Sequence, residues 1–305
     1  MTHTLRGILA LLLVTLVWGT TFPAMKELTQ HFSAQWIIFL RFGIAGVLLA
    51  PFLWKAGRDD LVSGGLLGVL LFFCFVFQIE GLALTSSNRN AFICGLSVLM
   101  VPLLDLVAGT WPEKRIVAAL LLALTGLALL CWDGGPWGRG DSLALACAAG
   151  TAVYIKMMAF RTRRASRLMT LTAAQVITVA LCAAVWLLAR DVPRSTIDAG
   201  QDFVNYWQYI EQGLAKYTFN LLFLGVVATA AIISLQSWGQ ARASANEAAI
   251  IYAFEPAAAA FFAYFMLNET MTSRGWLGAA LLILGMIVSQ WNAATPRPAA
   301  ALVPE

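Results

Sequence analysis

Long apolar runs joined by short polar connections make up almost the whole chain. Ten of them reach spanning length, at residues 5–25, 33–54, 61–84, 90–110, 114–132, 141–160, 168–189, 217–241, 246–267 and 273–291. At about 1.5 Å of rise per residue, some 20 apolar residues cross a hydrocarbon core roughly 30 Å thick. The pattern therefore predicts an all-α polytopic membrane protein with ten transmembrane helices and no room for a soluble domain. In the fourth run Asn90, Cys94, Ser97, Val101 and Asp105 recur at helical spacing, a small and polar stripe down one face. That face avoids lipid, either as a close helix contact or as a cavity wall. Between the seventh and eighth runs Phe203, Trp207, Ile210, Leu214 and Tyr217 recur every three or four residues, with Asn205, Gln208 and Lys216 between them. This predicts an amphipathic helix on the outer surface, a structural collar in preference to a lid.

The two halves repeat one another. Gly81 stands seven residues before Asn88 as Gly239 stands seven before Asn246, and Arg115 stands eleven before Gly126 as Arg274 stands eleven before Gly285. Earlier spans match more loosely, with Gly19-Thr20 opposite Gly150-Thr151. The register sets Tyr252 over Cys94 and Glu255 over Ser97, on the polar stripe. Five crossings per copy is an odd number, so the second copy is expected upside down relative to the first, with a site near the midplane between them. The expected units are 1–133 and 141–292, with 190–216 as an outer loop carrying the amphipathic helix and 293–305 as a disordered tail.

Composition agrees, with 60% hydrophobic and 12% charged residues and a mean hydropathy of +0.77, far from the roughly 25% charged residues of globular chains. The net charge of +4 is distributed at the ends of the runs, where it encodes topology; no basic patch suggests nucleic acid. Eleven Lys and Arg lie in loops on the N-terminal side and four in the short loops opposite, which predicts cytoplasmic termini. The five cysteines stand singly inside apolar runs without metal-ligand spacing, so they read as packing residues, and no cofactor is expected.

The candidate chemistry centres on Glu255, nine residues from Asn246 and therefore about 14 Å deep. A carboxylate near the midplane is costly unless it faces a partner or a wet cavity. The adjacent Pro256 removes a backbone donor and loosens the turn before it. Arg41, about 12 Å deep from the opposite face, comes out within one turn of the same level and is the expected partner. Trp18 and Phe22 fall in a glycine- and proline-loosened stretch; Trp18 also suits an interfacial anchor. Gln78 lies near the outer end of the third run. Ser97 and Tyr252 lie on the stripe register, Gln175 corresponds to Arg41, Tyr154 lies near the end of the sixth run, and Ser234 and Trp238 are one turn apart on the eighth. Lys26 and Lys156 read as snorkelling end charges, with an Asp105–Lys156 pair as the alternative.

The runs Trp18-Gly19-Thr20-Thr21-Phe22-Pro23 with Lys26, Leu40-Arg41-Phe42, Phe254-Glu255-Pro256, Leu267-Asn268-Glu269, Leu277-Gly278 and Leu284-Gly285-Met286 resemble the EamA-like branch of the drug/metabolite transporter superfamily. The resemblance covers nearly the whole chain. It implies a ten-helix bacterial inner-membrane carrier that exports small metabolites, with amino acids, aromatic ones first, as the leading substrates. The long loop after the seventh run departs from the family pattern, and Pro102 lies about one turn later in its half than Pro256 does. A channel is the alternative. An intramembrane enzyme is disfavoured, because both histidines, His3 and His31, lie away from the midplane and no metalloprotease motif or paired aspartate is present. The expected partners are a small solute and the bilayer, and a monomer is expected.

Overall fold

The computed structural model describes residues 3–54, 56–85, 87–109, 111–131, 136–190, 200–267 and 272–290. Among these described residues thirteen α-helices follow one another: α1 (His3–Leu28), α2 (Ala34–Leu49), α3 (Arg58–Leu84), α4 (Ser87–Gly95), α5 (Ser97–Val107), α6 (Lys114–Cys131), α7 (Arg139–Arg164), α8 (Leu168–Arg190), α9 (Gly200–Leu222), α10 (Ile232–Gln240), α11 (Ala245–Tyr252), α12 (Glu255–Leu267) and α13 (Ser273–Gln290). No strand occurs among the described residues. Seven helical stretches there are long and apolar enough to cross a membrane: Leu5–Leu28, Ala34–Leu53, Arg58–Leu84, Arg89–Val107, Arg139–Arg164, Leu168–Arg190 and Val204–Gln240. Large apolar side chains such as Val47, Leu121, Leu181, Val185 and Leu188 point outward, as lipid-facing positions do. The expected tail at 293–305 and residues 191–199 of the long loop lie outside the described residues.

Polar side chains close the helix ends that the apolar runs leave open. Ser33 accepts from the backbone N–H of Trp36 at the start of α2. Ser244 and Glu247 cap α11 reciprocally, through bonds of 2.9 and 3.2 Å. The Lys26 ammonium donates to the Leu82 carbonyl at 2.7 Å and to that of Thr85 at 3.2 Å. It therefore satisfies the last carbonyls of α3 instead of snorkelling to solvent.

Two helices are broken at matching places. The fourth apolar run divides at Leu96, between α4 and α5, and the ninth at Ala253 and Phe254, between α11 and α12. In the register that sets Glu255 over Ser97, Phe254 falls on Leu96. Pro102 does not make the first break; it lies inside α5. The eighth run departs more strongly from the expected helix. Tyr217 has non-helical dihedrals (φ −106°, ψ 17°), and residues Phe223–Ala231 form wide, five-residue turns. The amphipathic segment is thus a helix that leads through this bend into α10. It rests on the α1–α2 connection: Trp36 Nε1 donates to the Tyr206 hydroxyl at 2.8 Å, and the His31 ring stacks on Tyr209 at 3.9 Å.

The packing joins early helices of the chain to late ones. α6 lies along α13, α2 along α8, and α3 against both α7 and α8, while α1 packs on α10 and α12, and α2 on the wide-turn segment. Glycines permit the closest crossings. A Cβ on Gly126 would stand 2.7 Å from the Gly278 carbonyl, and one on Gly285 3.0 Å from that of Ala119. The α3–α7 crossing sets Gly81 against Gly140, and α1–α10 sets Gly239 against Gly7, each with a carbonyl 3.0–3.2 Å from the missing Cβ. Small residues let backbones approach in this way, and dispersion then holds the pair in lipid.

Candidate functional site

A cavity of about 100 Å³ lies among α1, α2, α3, α4, α7, α10 and the α11–α12 break. At roughly 10–15 Å³ per water that is room for several waters. Of the residues expected near the path, the structure brings together Trp18, Phe22, Arg41, Gln78, Ser97, Tyr154, Tyr252 and Glu255 on its wall. Cys74, Cys94, Cys147 and Gln236 also line it.

Arg41 is the deepest charge, 1% exposed halfway along α2. Its Nε donates to the Thr229 hydroxyl, its Nη2 to the Ala228 carbonyl at 3.1 Å, and its Nη1 to the Met25 sulfur at 3.4 Å. The guanidinium also sits 4.8 Å from the centre of the Phe75 ring. These acceptors exist because the wide turns disturb the regular backbone ladder. The Thr229 hydroxyl donates five residues back, to the Leu224 carbonyl at 2.7 Å. The Ala228 carbonyl receives the Trp18 indole N–H at 3.3 Å as well as Arg41.

Glu255 opens α12 directly after the break. No ion pair joins it to Arg41, and no hydrogen bond to its carboxylate is found among the described residues. The expected partnership is thus not a direct contact: the two groups share a cavity wall and act on each other through space, while the nitrogens of Arg41 are bonded to the wide-turn segment and Met25. Next to Glu255, Tyr252 is 6% exposed and its hydroxyl lacks a hydrogen-bond partner. Its ring lies 5.7 Å from that of Trp18. Behind this wall Gln175 donates to the Tyr154 hydroxyl at 2.7 Å, and Tyr154 reaches Gln236 at 3.5 Å. Gln175 thus orients a wall residue and does not line the cavity.

Ser234 and Trp238 face elsewhere. The Ser234 hydroxyl donates back to the Ala230 carbonyl of the wide-turn segment, 2.7 Å away, and the Trp238 ring carries the Arg242 guanidinium at 3.9 Å. The wide turns before α10 shift the phase of its faces, so Gln236 points inward where uniform helical spacing favoured Ser234 and Trp238. The cavity cysteines were likewise missed. Their spread over three helices left no local spacing to read, and only the stripe through Cys94 hinted at a wall.

The opposite side of the bundle is tied shut. Asp105 accepts from the Lys156 ammonium and from the Asn246 amide at 3.0 Å, so the paired reading of Lys156 holds over snorkelling. Arg115 lies 3.7 Å from Glu247. These contacts join α5, α6, α7 and α11. At the other end Arg89 holds Asp141 with two bonds, of 2.7 and 2.9 Å, linking α4 to α7.

The EamA-like transporter family matches residues 5–132 and 138–290. A protein of Archaeoglobus fulgidus described as an uncharacterized transporter is 29% identical over 283 residues, covering 92% of this chain and 84% of that protein. The fold is similar to that of a solved protein crystal structure, with a TM-score of 0.69 at 18% identity over 94% of this chain and 97% of the other.

Proposed function

The chain belongs to the EamA-like transporter family, and on that premise we propose that this multi-pass membrane transporter is a secondary carrier for small amine-bearing metabolites. Amino acids, aromatic ones first, are the leading substrate class. The observation that carries this reading is the Glu255 carboxyl group, to which no hydrogen bond or ion pair is found among the described residues, set beside the Tyr252 hydroxyl, which lacks a formed hydrogen bond, at a helix break that faces a cavity. A carboxyl group held in a membrane interior without a hydrogen-bond partner is poised to take one from a ligand.

The architecture we assign is ten crossings in two inverted five-helix units, 1–133 and 141–292. The reciprocal glycine crossings, the pairing of early with late helices and the matching breaks at Leu96 and Phe254 all support it. In addition to the seven long spans, α6, the broken pair α11–α12 and α13 supply the other three crossings. With both termini cytoplasmic, as the loop charges favour, the cavity lies toward the outer face. The Asp105–Lys156–Asn246 cluster then closes the inner end. Alternating access exchanges these two closures by moving one unit against the other. The carrier resides in the bacterial inner membrane and acts as a monomer, with 293–305 as a cytoplasmic tail.

The test is counterflow in proteoliposomes with labelled phenylalanine, tyrosine and tryptophan. Unlabelled substrate trapped inside should transiently concentrate label. Flux that neither saturates nor shows counterflow would identify a pore instead.

A further inference from the structure

The cavity offers a ligand two charges of very different availability, and we propose that it recognises its substrate by the cationic amine alone, without a receptor for a carboxylate. The substrate class is then arylalkyl amines and amine-bearing metabolites in which a carboxylate is optional. This deepens the carrier reading above and rests on it.

Three observations carry the inference. First, Arg41 is the guanidinium that a substrate carboxylate would need, and all three of its nitrogens are engaged, by the Thr229 hydroxyl, the Ala228 carbonyl and the Met25 sulfur. One face is also stacked toward Phe75. A carboxylate would have to be met by the two N–H groups that these contacts leave, on a guanidinium already held to the wide-turn segment. Secondly, no hydrogen bond or ion pair to Glu255 is found among the described residues, and Arg41 acts on it only through space, so an amine meets a carboxyl group with no bond to be broken first. Thirdly, the Tyr252 hydroxyl, 6% exposed and near Gln236 without a well-formed hydrogen bond, supplies a lone pair one turn before Glu255. Tyr252 and Trp18 also present rings 5.7 Å apart, a setting in which a desolvated cation is stabilised by the ring faces. An ammonium donates three hydrogens and accepts none, which matches two acceptors and an aromatic wall.

The experiment measures equilibrium binding to the purified full-length carrier in nanodiscs with four probes: 2-phenylethylamine, L-phenylalanine, 3-phenylpropionate and N-acetyl-L-phenylalanine. The expected result is that 2-phenylethylamine binds at least as tightly as L-phenylalanine, while the two probes without a cationic amine show no saturable binding. Glu255→Gln should weaken 2-phenylethylamine at least tenfold, and Tyr252→Phe severalfold. The Tyr252 variant and the wild-type probe series decide the matter even if the Glu255 variant fails to fold. Binding of L-phenylalanine tenfold tighter than 2-phenylethylamine, saturable binding of 3-phenylpropionate, or no binding of any probe would overturn the proposal. Counterflow of amino acids without binding of 2-phenylethylamine would sink this inference and leave the carrier reading standing. Binding of 2-phenylethylamine without counterflow of any amine or amino acid would sink the carrier reading alone.

Discussion

Replacing Arg41 and Glu255 separately and together distinguishes a structural ion pair from two charges with different duties. Arg41→Met keeps an apolar stem but removes the guanidinium, and with it the bonds to the Thr229 hydroxyl and the Ala228 carbonyl. Side-chain hydrogen bonds between transmembrane helices are worth about 0.6–1.7 kcal/mol each, and the contact with Phe75 adds about 0.5–2 kcal/mol. The expected loss is therefore about 2–5 kcal/mol. Glu255→Gln breaks no hydrogen bond and hardly changes volume, so it should cost under about 1 kcal/mol, by the general rule that large effects need a named lost interaction. The assay is reversible unfolding of the two single variants and the double variant in mixed micelles, with folded fraction read by near-UV circular dichroism. Losses that roughly add are expected. If Glu255→Gln alone destabilised the protein as much as Arg41→Met, and the double variant recovered most of that loss, the charges would form a buried pair. Arg41 and Glu255 would then share one structural duty.

Other consequences are independent of that pair. In a variant retaining only Cys94, which lines the cavity, a soluble thiosulfonate should label the thiol and substrate should slow the reaction. A variant retaining only Cys182, away from the cavity, should stay inert, and equal rates would reject the cavity. Gly126→Leu would drive a side chain into the Gly278 carbonyl and Leu282, costing about 1–3 kcal/mol as overpacking does; an unchanged unfolding midpoint would contradict the close α6–α13 crossing. Gln236→Ala should reduce counterflow by tenfold or more, whereas Ser234→Ala should leave it within twofold; the reverse order would restore the uniform-helix reading of α10. Fusion of periplasm-active and cytoplasm-active reporters after residue 305 should give only cytoplasmic signal, and a strong periplasmic signal would invert the topology.

How much of this was legible in the sequence depends on whether a feature is encoded by local pattern or by the path of the backbone. The apolar runs, and Glu255 next to Pro256, announce themselves within a few residues, because a missing N–H and a midplane charge have local physical consequences. The break at Leu96 has no such marker, since Pro102 lies nearly two turns beyond it inside α5; only its register with Phe254 exposes it. The wide turns at Phe223–Ala231 were the largest omission. They leave no evident residue signature, yet they supply the acceptors that hold Arg41 and rotate Gln236 into the wall. Depth arithmetic put Arg41 and Glu255 at one level but could not say which neighbour Arg41 would choose, since that choice depends on carbonyls freed elsewhere. The arginine held by backbone irregularity leaves the glutamate at the other break unclaimed, so one disturbed helix stabilises the fold while the second keeps a carboxylate available to a ligand.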